Sequence, residues 1–158
     1  MKPYNRRRLT KSGTLALFLC IPLFMGQQQC FICYPNLPAP RLVVEGTVDY
    51  VAHGQEWTRY DLGVTNASDF PDALFAAASD LPPCGLNTNS SRTWVDIYDG
   101  VSGGRIYGFC ALGAAAQLDD IWFAVERGAN PPESVYIVLT DRRCNMTYTS
   151  NLAPTAGL

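Results

Sequence analysis

Histidine is almost missing from this chain, since His53 is the only one in 158 residues. A histidine-rich metal site is thereby excluded, and a serine-hydrolase triad would have to use a residue that sits in a predicted turn. Lysine disappears after Lys11, and charged residues make up only 16% of the chain, below the usual quarter. The surviving basic residues after the N-terminal segment are Arg41, Arg59, Arg92, Arg105, Arg127, Arg142 and Arg143, against 14 acidic residues. That is a formal charge of about -7 for the chain after its N-terminal segment, with no basic cluster beyond Arg142 and Arg143, so nucleic acid is not an expected partner. No apolar run reaches the roughly 20 residues that cross a bilayer. There is no nucleophile elbow, no D-x-D-x-D-G calcium run, no internal repeat and no low-complexity tract, and no cofactor or metal is expected.

What is present begins with Lys2, Arg6, Arg7, Arg8 and Lys11 ahead of the apolar stretch 14–26, closed by Gln27, Gln28 and Gln29. Charge followed by a short apolar core is the pattern of a secretory signal peptide, here 1–26. Phe24 is bulky for the -3 position of a cut after Gly26, so an uncleaved anchor is the rival. Arg6 to Lys11 fits a twin-arginine pattern only partly, and no cysteine follows a small residue as lipidation requires. The expected location is periplasmic or extracellular, or membrane-anchored if the segment is retained. Residues 27–41, with Pro35, Pro38 and Pro40, read as an extended tether; 42–151 as the domain; 152–158 as a tail.

Removing Cys20 with the signal leaves Cys30, Cys33, Cys84, Cys110 and Cys144. In an oxidising compartment these tend to pair, and an odd number cannot all pair within one chain. Cys84 with Cys110 is the preferred pair, tying a loop to a neighbouring strand at about 2–4 kcal/mol; a buried unbridged Cys110 is the alternative. Cys30 and Cys33 have C-x-x-C spacing, which supports a thiol-disulfide alternative. They lie in a proline-bearing stretch, however, not at a helix start that would lower a thiol pKa. Tyr34 occupies the place where haem attachment needs histidine.

Period-two alternation dominates the rest. The segments 42–51 and 56–65 form one predicted hairpin about His53 and Gly54, with Val44, Val48 and Tyr50 on one face opposite Tyr60, Leu62 and Val64. Thr93 to Tyr98 and Arg105 to Cys110 flank a glycine-rich turn and form a second. Asp120 to Val125, Ser134 to Thr140 and Asn145 to Ser150 complete about seven strands. Short helices are expected in 69–78, with Pro71 in the first turn, and in 112–118. Val95 with Ile97, Ile121 with Phe123, and Val135 with Ile137 and Leu139 supply an apolar face per strand. The fold class is therefore all-β: an antiparallel β-sandwich of immunoglobulin/fibronectin-like kind, with a small closed barrel as the alternative.

Trp94, Asp96 and Tyr98 lie opposite the aliphatic face of their strand. A hairpin would bring Tyr107 and Phe109 beside them, giving a binding patch of rigid aromatics with a charged edge at Asp96 and Arg105. Burial of these aromatics under the short helices is the competing expectation. Asp96, Asp99, Asp119, Asp120 and Asp141 read as a solvated rim, and Asn66, Asn89 and Asn145 as loop asparagines despite their N-x-S/T form. The function expected is a non-enzymatic extracytoplasmic binding or interaction module with a protein or cell-envelope partner. The alternatives are a thiol-disulfide protein using Cys30 and Cys33, and a periplasmic hydrolase on loops meeting at His53.

The block from Pro82 through Tyr98 and from Arg105 to Leu112 resembles one in a small uncharacterised family of exported bacterial proteins. The resemblance covers at most the second half of the chain. It implies a bacterial source and no activity, substrate or catalytic residue.

Overall fold

The computed structural model describes residues 32–83, 90–110 and 113–156. They belong to one compact unit, Phe31–Leu158, while the other unit, Met1–Cys30, lies outside the described residues together with the expected signal peptide and Cys30. The strands are β1 (Leu42–Ala52), β2 (Gln55–Val64), β3 (Thr93–Asp99), β4 (Arg105–Phe109), β5 (Ile121–Glu126), β6 (Ser134–Asp141), β7 (Met146–Thr149) and β8 (Ala153–Pro154). One sheet has the order β1-β2-β5 and the other β4-β3-β6-β7, with β8 also on β6; every pairing is antiparallel. This is a β-sandwich of fibronectin-like kind, in which the fourth strand joins the third instead of completing the first sheet as in constant-type immunoglobulin domains.

Alternation explains the core. Val95, Ile97, Val135, Ile137 and Leu139 from one sheet are fully buried against Leu62, Val64, Ile121 and Phe123 from the other. Each such side chain contributes roughly 1.5–3 kcal/mol by leaving water. The expected helices are 3-10 turns, Ala67–Asp69, Asp72–Leu74 and Ala115–Asp119. Their Phe70, Leu74, Ala115 and Leu118 join the core, so they help fill the space between the sheets, and Phe75 follows them into it.

Three expectations need correcting. A β-bulge at Glu45 inserts one residue between the Val44–Leu62 and Gly46–Asp61 pairs. Side-chain phase inverts there, so Val44 packs on the core whereas Val48 is 52% exposed and does not share its face. The tail is not free: β8 pairs with Ser134 and Val135, and Ala153 is buried. Nor does the packed domain start at Leu42, because Tyr34 and Leu37 of the expected tether pack on the core and Pro40 is buried. Asn66 holds this stretch by accepting from the Arg41 N–H at 2.7 Å and donating to the Ala39 carbonyl at 3.2 Å. Asn151 does the same between sheets, its amide accepting from Leu42 N–H and donating to Leu42 O, at 2.8 and 3.0 Å. Among the described residues no helix is long and apolar enough to cross a membrane.

A disulfide joins Cys33 to Cys144, across 111 residues of sequence. The expected partner of Cys110, Cys84, lies outside the described residues; Cys110 itself is buried at the end of β4. Beside the disulfide, Arg92 and Asp141 form a buried bidentate pair, Nε to Oδ1 at 2.8 Å and Nη2 to Oδ2 at 2.6 Å. Arg92 also donates to the Ile32 carbonyl at 2.7 Å and lies 5.5 Å from the Tyr34 ring centroid. Asp141 further accepts from the Arg143 N–H at 3.1 Å, holding the β6–β7 turn. The solvated rim expected of the acidic residues therefore fails for Asp141, which is fully buried, because an in-phase position on a core strand forces it inward, where only a partner makes burial tolerable.

A candidate binding face

β3 is hydrogen-bonded on both sides, to β4 and β6, so its outward face offers side chains and no open main-chain edge. Trp94, Asp96 and Tyr98 stand on that face, each half-buried, opposite the buried Thr93, Val95 and Ile97. Tyr98 stacks on its cross-strand neighbour Tyr136, ring centroids 5.2 Å apart. The Arg142 guanidinium lies 4.0 Å from the Trp94 ring centroid, held in place by the carbonyls of Pro82 at 2.7 Å and Ser91 at 3.3 Å. Such cation–π packing rigidifies the indole.

Arg105 Nε donates to Asp96 Oδ1 at 2.6 Å, with Arg105 more than half exposed. The pair lies across Gly108, where a Cβ would fall on the guanidinium and the carboxylate. Glycine at this point of β4 leaves the room in which the pair closes. Trp94, Asp96, Arg105, Gly108 and Phe109 line a groove of about 250 Å³. The Trp94 Nε1–H is buried and, among the described residues, is the only such side-chain atom with no hydrogen-bond partner. An unpaired buried donor costs about 1–3 kcal/mol.

The patch expected from sequence is divided. Phe109 pairs with Val95 and Tyr107 with Ile97, so both take the side of β3 that faces the core, away from Trp94, Asp96 and Tyr98. Ile106 is left over between the Ile97–Tyr107 and Tyr98–Arg105 pairs, and this bulge sets the phase. Tyr107 and Phe109 instead reach Trp122 of β5, at centroid distances of 5.7 and 6.3 Å. Arg59 lies 5.4 Å from the same indole centroid and pairs with Asp61 at 2.6 Å. Of the two displaced aromatics, Phe109 alone still borders the Trp94 groove. Sequence reading missed Tyr136 and Arg142; Tyr136 was legible from its alternation with Val135 and Ile137, whereas Arg142 acts from a turn.

A second hollow of about 500 Å³ is bounded by Glu45, Gly46, Arg59, Asp61, Asp119, Asp120 and Trp122. Among the described residues no three His, Cys, Asp or Glu side chains are grouped to hold a metal ion. His53 is exposed at the tip of the β1–β2 turn with φ 55°, and Asp49 is engaged by the Thr58 hydroxyl at 2.7 Å. Among the described residues, Arg92, Asp99 and Tyr148 are shifted from their ordinary values. The Arg92 guanidinium is raised by its hydrogen bonds to Asp141, against the effect of burial. Asp99 is lowered by the Ser102 and Val101 N–H groups that it accepts in the β3–β4 turn. Tyr148, whose hydroxyl donates to the Tyr34 carbonyl, is raised by burial and then by the Asp141 carboxylate.

Compared with known proteins, the chain matches no family model, no curated protein and no solved structure.

Proposed function

We propose that this chain is a non-enzymatic extracytoplasmic binding module, exported from a bacterial cell, whose contact surface is the outward face of β4-β3-β6 around Trp94, Asp96 and Arg105. The observation that carries the reading is the groove itself. A flat indole backed by a guanidinium and an ion pair that spans a glycine border one small hollow. Rigid aromatics with a charged edge are the make-up of contact surfaces. Export draws support from the basic and apolar N-terminal pattern and from the Cys33–Cys144 bridge, since such bonds persist in oxidising compartments. Cys33 is engaged with a residue 111 positions away, which weighs toward a structural and away from a redox role for it.

Two measurements test this. The chain should be recovered outside the cytoplasm at a mass lacking the N-terminal segment or held in the membrane by it; full-length chain in the soluble cytoplasm would remove the export claim. Hydroxyl-radical footprinting with isolated cell envelope should protect Trp94, Tyr98 and Tyr136 and leave Val51 and Trp57 unchanged. Equal reactivity with and without envelope would remove the contact surface.

A further inference from the structure

The Cys33–Cys144 bridge joins two unlike surroundings. Cys33 is exposed and follows an exposed Ile32, whereas Cys144 is half-buried in the β6–β7 turn. Thiol–disulfide exchange needs a thiolate to reach one sulfur and to displace the other, so access and leaving-group charge select the sulfur attacked. Both select Cys33. Arg92 Nη2, bonded to Asp141 and to the Ile32 carbonyl, lies 3.3 Å from Cys144 Sγ. Asp141 offsets part of that charge, and Arg142 and Arg143, which precede Cys144 in the turn, add to it. A sulfur in cationic surroundings leaves more readily as a thiolate.

Opening the bridge leaves the chain around Cys33 tied down. The Ile32 carbonyl on one side accepts from Arg92 at 2.7 Å, and the Tyr34 carbonyl on the other accepts from the Tyr148 hydroxyl at 2.8 Å. Tyr34 and Leu37 also pack on the core, and none of these contacts passes through the disulfide.

We propose that Cys33 is a site of S-thiolation, at which a monothiol adds while the domain stays folded. The incoming thiol loses its proton to solvent and its sulfur bonds Cys33 Sγ. The Cys33–Cys144 bond breaks, and its electron pair leaves on Cys144 Sγ beside Arg92. One disulfide replaces another, so no further oxidant or reductant is consumed. Return attack by the Cys144 thiolate on Cys33 expels the monothiol and restores the bridge. The closed bond is structural, and Cys33 is where it is acted on; it is not a redox catalyst.

The test uses the bridged chain with any thiols outside the bridge first capped by N-ethylmaleimide. Glutathione is added, exchange is quenched with iodoacetamide, and peptide mass spectrometry reads which sulfur carries which group. Near-ultraviolet circular dichroism is followed throughout, and the same exchange is run in urea. In the folded chain, glutathione on Cys33 with carbamidomethyl on Cys144 is expected to exceed the reverse arrangement about tenfold, with the native spectrum retained. In urea the two arrangements should approach equality. An even or reversed distribution in the folded chain overturns the proposal. So does a bridge that stays closed at a glutathione concentration that opens it in urea, or a thiolated product that has lost the native spectrum. An equally strong preference in urea overturns it too, by assigning the selectivity to local sequence instead of the fold.

Discussion

Replacing Arg92 by methionine should be among the most damaging single changes in the domain. It removes both bonds to Asp141 and the bond to the Ile32 carbonyl, leaving a carboxylate with no exposure and only the N–H groups of Arg143 and Cys144, at 3.1 and 3.4 Å. Breaking a buried pair on one side costs about 3–5 kcal/mol, a large part of the roughly 5–15 kcal/mol that holds a domain folded. For a domain of this size that corresponds to a fall in Tm of roughly 10–20 °C. Urea unfolding followed by tryptophan fluorescence in non-reducing buffer gives the number, provided the slope m is unchanged. The double change Arg92→Met with Asp141→Leu should recover most of the loss, since an apolar pair of similar volume replaces the ionic one at little cost. The reasoning is refuted if Arg92→Met alone costs less than about 1 kcal/mol, or if the double variant is as unstable as the sum of the single ones.

Other outcomes follow from the same contacts. Cys144→Ser should lower stability by about 2–4 kcal/mol and should abolish the stabilisation lost on adding reductant, as read by Tm with and without dithiothreitol. Asp99 has a lowered pKa in the fold, so its contribution is present above its unfolded value and is lost as pH falls below about 4. Asp99→Asn should therefore flatten part of the acid limb of Tm against pH, and amide exchange at Val101 and Ser102 should quicken at neutral pH. Gly108→Ala should displace the Arg105–Asp96 pair with loss of the groove, at about 1 kcal/mol or less, because only the ends of two side chains have to swing aside.

The sandwich was legible because burial on a sheet repeats every second residue, and Val95 and Ile97 of β3, Ile121 and Phe123 of β5, and Val135, Ile137 and Leu139 of β6 are all buried. What failed was phase. One extra residue at Glu45 turns Val48 to solvent, and one at Ile106 sends Tyr107 and Phe109 toward Trp122 instead of Trp94. A bulge is fixed by strand pairing across the sheet, and nothing local in either strand announces it. The Arg92–Asp141 pair depends on residues 49 apart that meet only through the pairing of β3 with β6. A clue did exist, since Asp141 is in phase with Val135, Ile137 and Leu139, and a carboxylate on a core face implies a buried partner. The Cys33–Cys144 bridge offered no such clue, because chain spacing says nothing about which cysteines a fold brings together.

The central claim, that the Trp94 face is where this module makes contact, is tested most directly by co-sedimentation with isolated cell envelope. Asp96→Ala combined with Arg105→Ala removes a partly exposed ion pair, worth about 1 kcal/mol or less, so the fold remains intact and the melting temperature moves little. The wild-type chain and a Val48→Ala control on the other sheet should pellet with the envelope, and the double variant should stay in the supernatant. Equal recovery of all three in the pellet would contradict the account.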